Sequence, residues 1–361
     1  MQRPFVVSLL VCAALFAHAQ ANLSVSLSGG IKIIDQDGRS AFYQDGAGYD
    51  MLTIKARNGA GTYGFSITDD NILSKLTYLK NADGATGTTN SFDIRDWNVW
   101  YRLWDGKVKV SAGILRNYDY RTTLPNWYVS TYGGTDLISA QGLLTQVYPV
   151  RGLSLGVFLP ISAANQDFLT ATIGGADVGA SYSIPNVGIV KALVRFGQAY
   201  SLDINDDKDE TDDGEAVTDA VMINAGFTFT AVDGLVASVL GRIMRSEEAD
   251  ATFYYAAAGA DWSVTPKWAI RSEAGFACRP EFSGDREASI LGAFWDVWTR
   301  VRYRITDRLY THLSFRYAED GDASVTGALG YTFGDGLSVS AHMGYDGDLL
   351  YNLYVYYELA F

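Results

Sequence analysis

Apolar and polar side chains alternate along most of the chain after residue 22. In LSVSLSG (23–29) Leu and Val alternate with Ser, and in LTIKA (52–56) Leu52, Ile54 and Ala56 alternate with Thr53 and Lys55. YGFSI (63–67), VKVSAGI (108–114), LSLGVFL (153–159), VMINAGFTF (221–229), LYTHLSF (309–315) and LSVSAHMGY (337–345) repeat the pattern. Successive strand residues point to opposite faces, so a period of two over such lengths predicts β-strands with one apolar face. DWNVWYRLW (96–104) also suits a helix through Trp97, Trp100 and Trp104. Strands on both sides favour the strand instead, with Trp97, Val99, Tyr101 and Leu103 on one face.

The connections alternate in length. NGAG (58–61), WDGK (104–107), YPVRG (148–152), SIPN (183–186), AVDG (231–234), VTPK (264–267), ITDR (305–308) and FGDG (333–336) are compact Gly, Pro and Asp turns that suit tight hairpins. Longer polar segments lie between them, near 35–49, 69–91, 118–136, 161–172, 198–217, 245–251 and 279–289, with shorter ones near 318–322 and 346–348. Eight turns and nine loops separate eighteen strands; sixteen is the alternative if 23–33 and 137–148 are not strands.

Short turns at one end and long loops at the other are the habit of outer-membrane barrels. A soluble sandwich or propeller would not keep one side's connections short throughout. After residue 22 no run of 18 or more apolar residues occurs, which excludes helical membrane spans. Strands of ~9–11 residues cross the hydrocarbon layer when tilted, and only a closed barrel satisfies every backbone group there. The expected fold class is therefore all-β: a transmembrane, antiparallel, up-and-down β-barrel over 22–361.

The first 21 residues stand apart. MQRPFVVSLLVCAALFAHAQA carries Arg3, an apolar run from Phe5 to Ala17, then small residues at Ala17, Ala19 and Ala21. This is the layout of a secretory signal peptide cut after Ala19 or Ala21. Cys12 is preceded by Val11, where a lipidation signal would carry a small residue. Without the leader, Cys278 is the single cysteine, so no internal disulfide forms. The formal charge of −13 argues against nucleic acid as a partner.

The final strand, YNLYVYYELAF (351–361), places Tyr351, Leu353, Val355, Tyr357, Leu359 and Phe361 on one face. A signal peptide, alternating strands throughout and a terminal strand ending in Phe361 together resemble a Gram-negative outer-membrane porin. The resemblance implies an outer-membrane location and contact with its lipids. It also implies recognition of Leu353, Val355, Tyr357, Leu359 and Phe361 by the barrel-assembly machinery, and association as a homotrimer.

Placing the apolar face toward lipid fixes the other face as the pore wall. An Arg on the lipid side near the midplane costs roughly 2–4 kcal/mol, so in AFWDVWTRVRYRI (293–305) Arg300, Arg302 and Arg304 point inward with Asp296. The same test turns Lys55, Arg57, Arg102, Lys107, Lys109, Lys191, Arg195, Arg242, Arg271, His312 and Arg316 inward. Inward acids are fewer: Asp96, Asp177, Asp261, Glu273, Asp296 and Glu358. The expected wall is basic although the chain is acidic, because much of the acid sits in SLDINDDKDETDDGEAVTD (201–219). Rings of Arg and Lys favour anion passage; the competing account is that the charges pair across strands. In the acidic loop, Asp209, Thr211, Asp213 and Gly214 are spaced like the start of a calcium loop but lack its bidentate Glu.

The third long loop, RNYDYRTTLPNWYVSTYGGTD (116–136), is the one that folds inward in the family resembled. Its constriction candidates are Tyr118, Asp119, Tyr120, Arg121, Trp127, Tyr128 and Asp136. The aromatics would serve as sugar-stacking surfaces or as packing. His312 and His342 lie mid-strand one step from Ser314 and Ser340, a spacing too common in Ser-rich strands to mark a catalytic pair. No metal motif and no cofactor-binding glycine motif occurs, so neither an enzyme nor a cofactor is expected. The expected function is passive diffusion of small hydrophilic solutes through a basic pore. An oligosaccharide-specific channel and a non-conducting adhesin or binding barrel are the alternatives.

Overall fold

The structure, a computed structural model, describes residues 22–37, 41–42, 51–70, 94–116, 119–125, 139–161, 173–201, 216–247, 251–278, 293–318, 321, 323–334 and 336–360. The first strands are β1 (Asn22–Asp35), the two-residue β2 (Ala41–Phe42), β3 (Met51–Arg57), β4 (Tyr63–Asp70), β5 (Ile94–Leu103) and β6 (Val108–Arg116). Next come β7 (Ser139–Val147), β8 (Leu153–Pro160), β9 (Asp177–Ile184), β10 (Gly188–Ser201), β11 (Ala216–Phe229) and β12 (Leu235–Ser246). The last are β13 (Ala251–Ser263), β14 (Trp268–Cys278), β15 (Ala293–Arg304), β16 (Leu309–Ala318), β17 (Ala323–Gly334), β18 (Leu337–Tyr345) and β19 (Leu349–Ala360).

From β3 onward each strand pairs antiparallel with the next. β1 closes the ring: it pairs with β3 through Leu27↔Leu52 and with β19 through Leu27↔Leu359. The short β2 extends the β3 side of that seam, with Ile31 opposite Phe42. The fold is thus a closed barrel of eighteen strands plus β2, and the two segments most open to misreading, 23–33 and 137–148, are β1 and β7. The segment 96–104 is a strand with its turn, not a helix. In that four-residue turn Trp104 and Asp105 both take positive φ, 51° and 54°, a region uncommon for residues other than Gly. Lys107 belongs to this turn and not to the wall, so its expected inward placement is corrected.

The outer face is aliphatic in its middle and aromatic toward both ends. Leu313 is 59% exposed and Val239 55%, with Leu329 and Ile243 similar. Near the short turns Tyr63 stacks beside Tyr101 (6.3 Å) and Trp268 beside Tyr303 (4.5 Å). Near the long loops Trp295 sits 5.4 Å from Tyr317. Two aromatic girdles flanking an apolar band are the surface expected where a barrel meets lipid and its interfaces.

The buried core lies inside the barrel and is partly apolar. Leu115, Leu144, Phe158 and Leu193 project inward from β6, β7, β8 and β10 and cluster with Tyr120. Tyr120 belongs to segment 119–125, the described part of the β6–β7 loop, and is fully buried, as is Leu124. Its ring lies over the bare backbones of Gly156 on β8 and Gly179 on β9, which pair directly. Further along, Thr122 Cβ is 2.7 Å from where a Cβ on Gly226 would lie, and Pro125 Cδ is 3.2 Å from that position on Gly259. Glycine within a strand often marks close approach of another backbone; here four of them form a track for one loop segment. The Tyr120 hydroxyl bonds the Ser154 hydroxyl (2.8 Å) and accepts from Gln146 Nε2 (3.2 Å). Burying such a side chain contributes roughly 1.5–3 kcal/mol, and each hydrogen bond about 1 kcal/mol.

Two outcomes check this account. Leu313→Arg, at mid-height on the outer face, lowers unfolding stability in lipid vesicles by about 2–4 kcal/mol, while Leu337→Arg near the short-turn rim costs about 0–1 kcal/mol; urea titration measures both. Gly179→Val places a side chain where the Tyr120 ring lies and displaces segment 119–125. Trypsin then cuts after Arg121, which is 8% exposed and protected in the parent protein; mass spectrometry of the fragments reads the difference.

Candidate functional site: the inner wall

The pairing registers run the inward face continuously around the barrel, because residues directly opposite one another share a face. Lys55 stands opposite Ser66, Arg57 opposite Gly64, and Asp96 opposite Thr68. Arg102 faces Lys109, and both cations lie over Trp100, at 5.6 Å and 5.9 Å from its ring centre. Lys191 reaches the Arg121 carbonyl at 3.4 Å. Arg242 lies opposite Asn224 and over the Tyr255 ring at 5.5 Å. Glu273 is buried opposite Gly259 and Trp298. Arg304 and Glu358 sit at the short-turn rim, opposite Tyr310 and Ser28.

Several inward charges pair across strands. Arg195 Nε donates to both Asp177 oxygens at 3.1 Å, deeply buried. Arg316 donates through Nη2 to Asp296 at 2.8 Å, and Arg271 Nε lies 2.9 Å from Asp261. At these three places cross-strand pairing describes the wall better than an unpaired basic track.

The wall then divides into two sectors. From β6 to β13 the loop segment covers it: Asp119 accepts from Gln146 Nε2 at 2.8 Å, and Tyr120, Arg121 and Thr122 are buried there. Burial raises the Tyr120 phenol above its ordinary pKa, against the hydrogen bonds to Ser154 and Gln146, so it stays neutral. From β14 to β19 the inward side chains include Arg271, Arg300, Arg302, Arg304 and Arg316 beside Glu273, Asp296 and Glu358. Arg271 stands opposite Arg300, Arg300 opposite Ser314, and Arg302 between Ala269 and His312. Arg300 donates from Nε to Ser314 (2.8 Å) and lies 5.0 Å from the Trp298 ring centre. His312 and His342 meet edge to face at 5.6 Å, and Ser340 Oγ bonds His342 Nε2 at 2.8 Å.

Among the constriction candidates, Asp119, Tyr120 and Arg121 lie against the wall, whereas Tyr118, Trp127, Tyr128 and Asp136 fall outside the described residues. Leu353, Val355, Tyr357 and Leu359 share the outer face of β19, opposite Tyr354 and Tyr356 on the inner one; Phe361 falls outside the described residues, as does 202–215 of the acidic loop. The charge pattern gave no sign of Gln146 and Asn224, both fully buried in the loop sector. The in-strand glycines at 156, 179, 226 and 259 were the available signal.

No protein-family model and no curated protein matches the chain by sequence. Solved structures do match by shape. OpdK of Pseudomonas aeruginosa, solved with vanillate, superposes with a TM-score of 0.51 at 14% identity, over 94% of this chain and 99% of its own. OccK11 (OpdR) of the same organism gives 0.52 at 12%, over 95% and 96%. OmpT, an outer membrane protein of Vibrio cholerae, gives 0.53 at 10%, over 94% and 97%. The chain has the fold of these outer-membrane β-barrels along almost its whole length.

Proposed function

We propose that the chain is an outer-membrane channel for passive diffusion of small hydrophilic solutes, with a preference for anions. The observation that carries this is the pair of strands β14 and β15, where Arg300, Arg302 and Arg304 project inward beside Arg271, itself paired with Asp261. Inward bases outnumber inward acids around the ring, and a low-dielectric wall focuses their field. The apolar band and its aromatic girdles are read as the surface facing outer-membrane lipid. The face of β19 carrying Leu353 to Leu359 is read as the assembly signal.

The oligosaccharide alternative loses one of its stacking surfaces, since the Tyr120 ring is spent on Gly156 and Gly179. Catalysis finds little support in the Ser340–His342 pair. No carboxylate lines the recess around it among the described residues, and the neighbouring cations are arginines. The vanillate in the OpdK structure is a small anion, consistent with a similar solute class here.

Planar bilayers test the proposal directly. The refolded barrel under a KCl gradient gives stepwise conductance with a reversal potential on the chloride side. The double variant Arg300→Ala, Arg302→Ala shifts that potential toward potassium. Folded protein that produces no steps would sink the channel and move its loops forward as a binding surface.

A further inference from the structure

The basic sector contains a recess of about 360 Å3, lined by Arg271, Arg300, Arg302, His312, Ser340 and Tyr310 among others. Its shape follows from residue size. Ala269 faces Arg302 across one ladder and Ala328 lies between His312 and His342, both alanines almost fully buried beneath these long side chains. Gly330, opposite Tyr310, lets the phenol ring lie flat against the wall. Long cationic and aromatic groups therefore stand around a floor of small ones.

Its polar lining is unusual. Three guanidinium groups line the recess and no carboxylate does among the described residues, although Arg271 also pairs with Asp261 at 2.9 Å. His312 is 9% exposed, and its buried Nε2 has no hydrogen-bond partner among the described residues. A buried ring nitrogen without a partner is costly, and the His312 side chain belongs to the lining of the recess. Ser340 Oγ and Ser338 lie on the same rim. The collection points to a guest that brings acceptor oxygens and negative charge.

We propose that this recess is a binding site for a phosphoryl group, as inorganic phosphate or a small phosphate monoester. A carboxylate offers two oxygens and one charge, which a single guanidinium fork satisfies. A phosphomonoester carries about −1.5 to −2 charge near neutral pH and three strong acceptor oxygens. That matches several converging forks, to which Arg contributes planar, bidentate geometry. Tyr310 and Tyr356 flank the recess and provide flat, amphipathic surfaces for the organic part of an ester. The volume sits near the lower end of ligand pockets, roughly 300–1,000 Å3, which suits a small ester. The assignment rests on reading the inner wall as a solute path, but it concerns equilibrium binding and not conduction.

Isothermal titration calorimetry on the full barrel folded in detergent, at fixed KCl concentration, tests it with inorganic phosphate, glucose 6-phosphate and acetate as probes. Both phosphates bind saturably and acetate binds at least about tenfold more weakly. Tighter binding of the ester assigns an organic phosphate, and tighter binding of the inorganic ion assigns free phosphate. Arg302→Ala weakens phosphate binding at least about tenfold with unchanged β-sheet circular dichroism. Arg302→Lys, which keeps the charge and loses the fork, weakens it by an intermediate factor. His312→Gln is the second variant should Arg302→Ala fail to fold, and it too weakens binding. Acetate binding as tightly as phosphate, native-like Arg302→Ala or His312→Gln binding at parental strength, or no saturable heat from either phosphate would overturn the site. A barrel that binds phosphate yet carries no current would overturn the channel and leave the site standing.

Discussion

Every backbone N–H and C=O within the apolar band needs a partner inside the protein, because lipid provides none. The seam between β1 and β19 meets that demand, joining the first described strand to the last over Ser26 to Asp35. Without it, two long edges would face hydrocarbon. Closure also turns one sheet face inward for its whole circumference, and so creates a wall on which charged side chains are sheltered from lipid. The arginines of β15 are tolerable because closure gives their side chains an inner face turned away from lipid.

Inside, two ways of filling a barrel coexist. From β6 to β13 apolar side chains and a loop segment occupy the wall, and two of the cations there have polar partners: Arg195 on Asp177, Lys191 on the Arg121 carbonyl. From β14 to β19 the wall stays polar and concave, with small residues beneath large ones. The division follows from which strands carry inward glycine beside apolar neighbours and which carry inward arginine beside alanine. Chemistry is concentrated where the loop segment does not lie.

Much of this was readable in the chain itself. Period-two alternation marks strands because the pleat sends neighbours to opposite faces, and the alternation of short and long connections orders them into a meander. Arg300, Arg302 and Arg304 declare their face because the lipid side would penalise all three. Partner choice was not readable: Arg271 finds Asp261 and Arg316 finds Asp296 only once register between strands is set. Nor was the inward apolar cluster, since Leu144, Phe158 and Leu193 sit in the phase that alternation assigns to polar wall. Lys107 shows the limit of parity counting, which fails where a strand gives way to a turn. Trp104 shows another: its positive φ comes from hairpin twist and not from any preference of the residue.

The glycine track separates two properties that a barrel might be expected to couple. Strand number and ladder registers determine how firmly the cylinder holds together. The path of segment 119–125 instead depends on wall positions that have no side chain, Gly156 and Gly179 above all. At Gly156 and Gly179 an added methyl group meets the Tyr120 ring and not the backbone, so the exchange moves the loop while the ladder's bonds stay in place. A lineage of such proteins has a route to a differently placed inner loop through small wall substitutions, with neither strands added nor the cylinder redesigned.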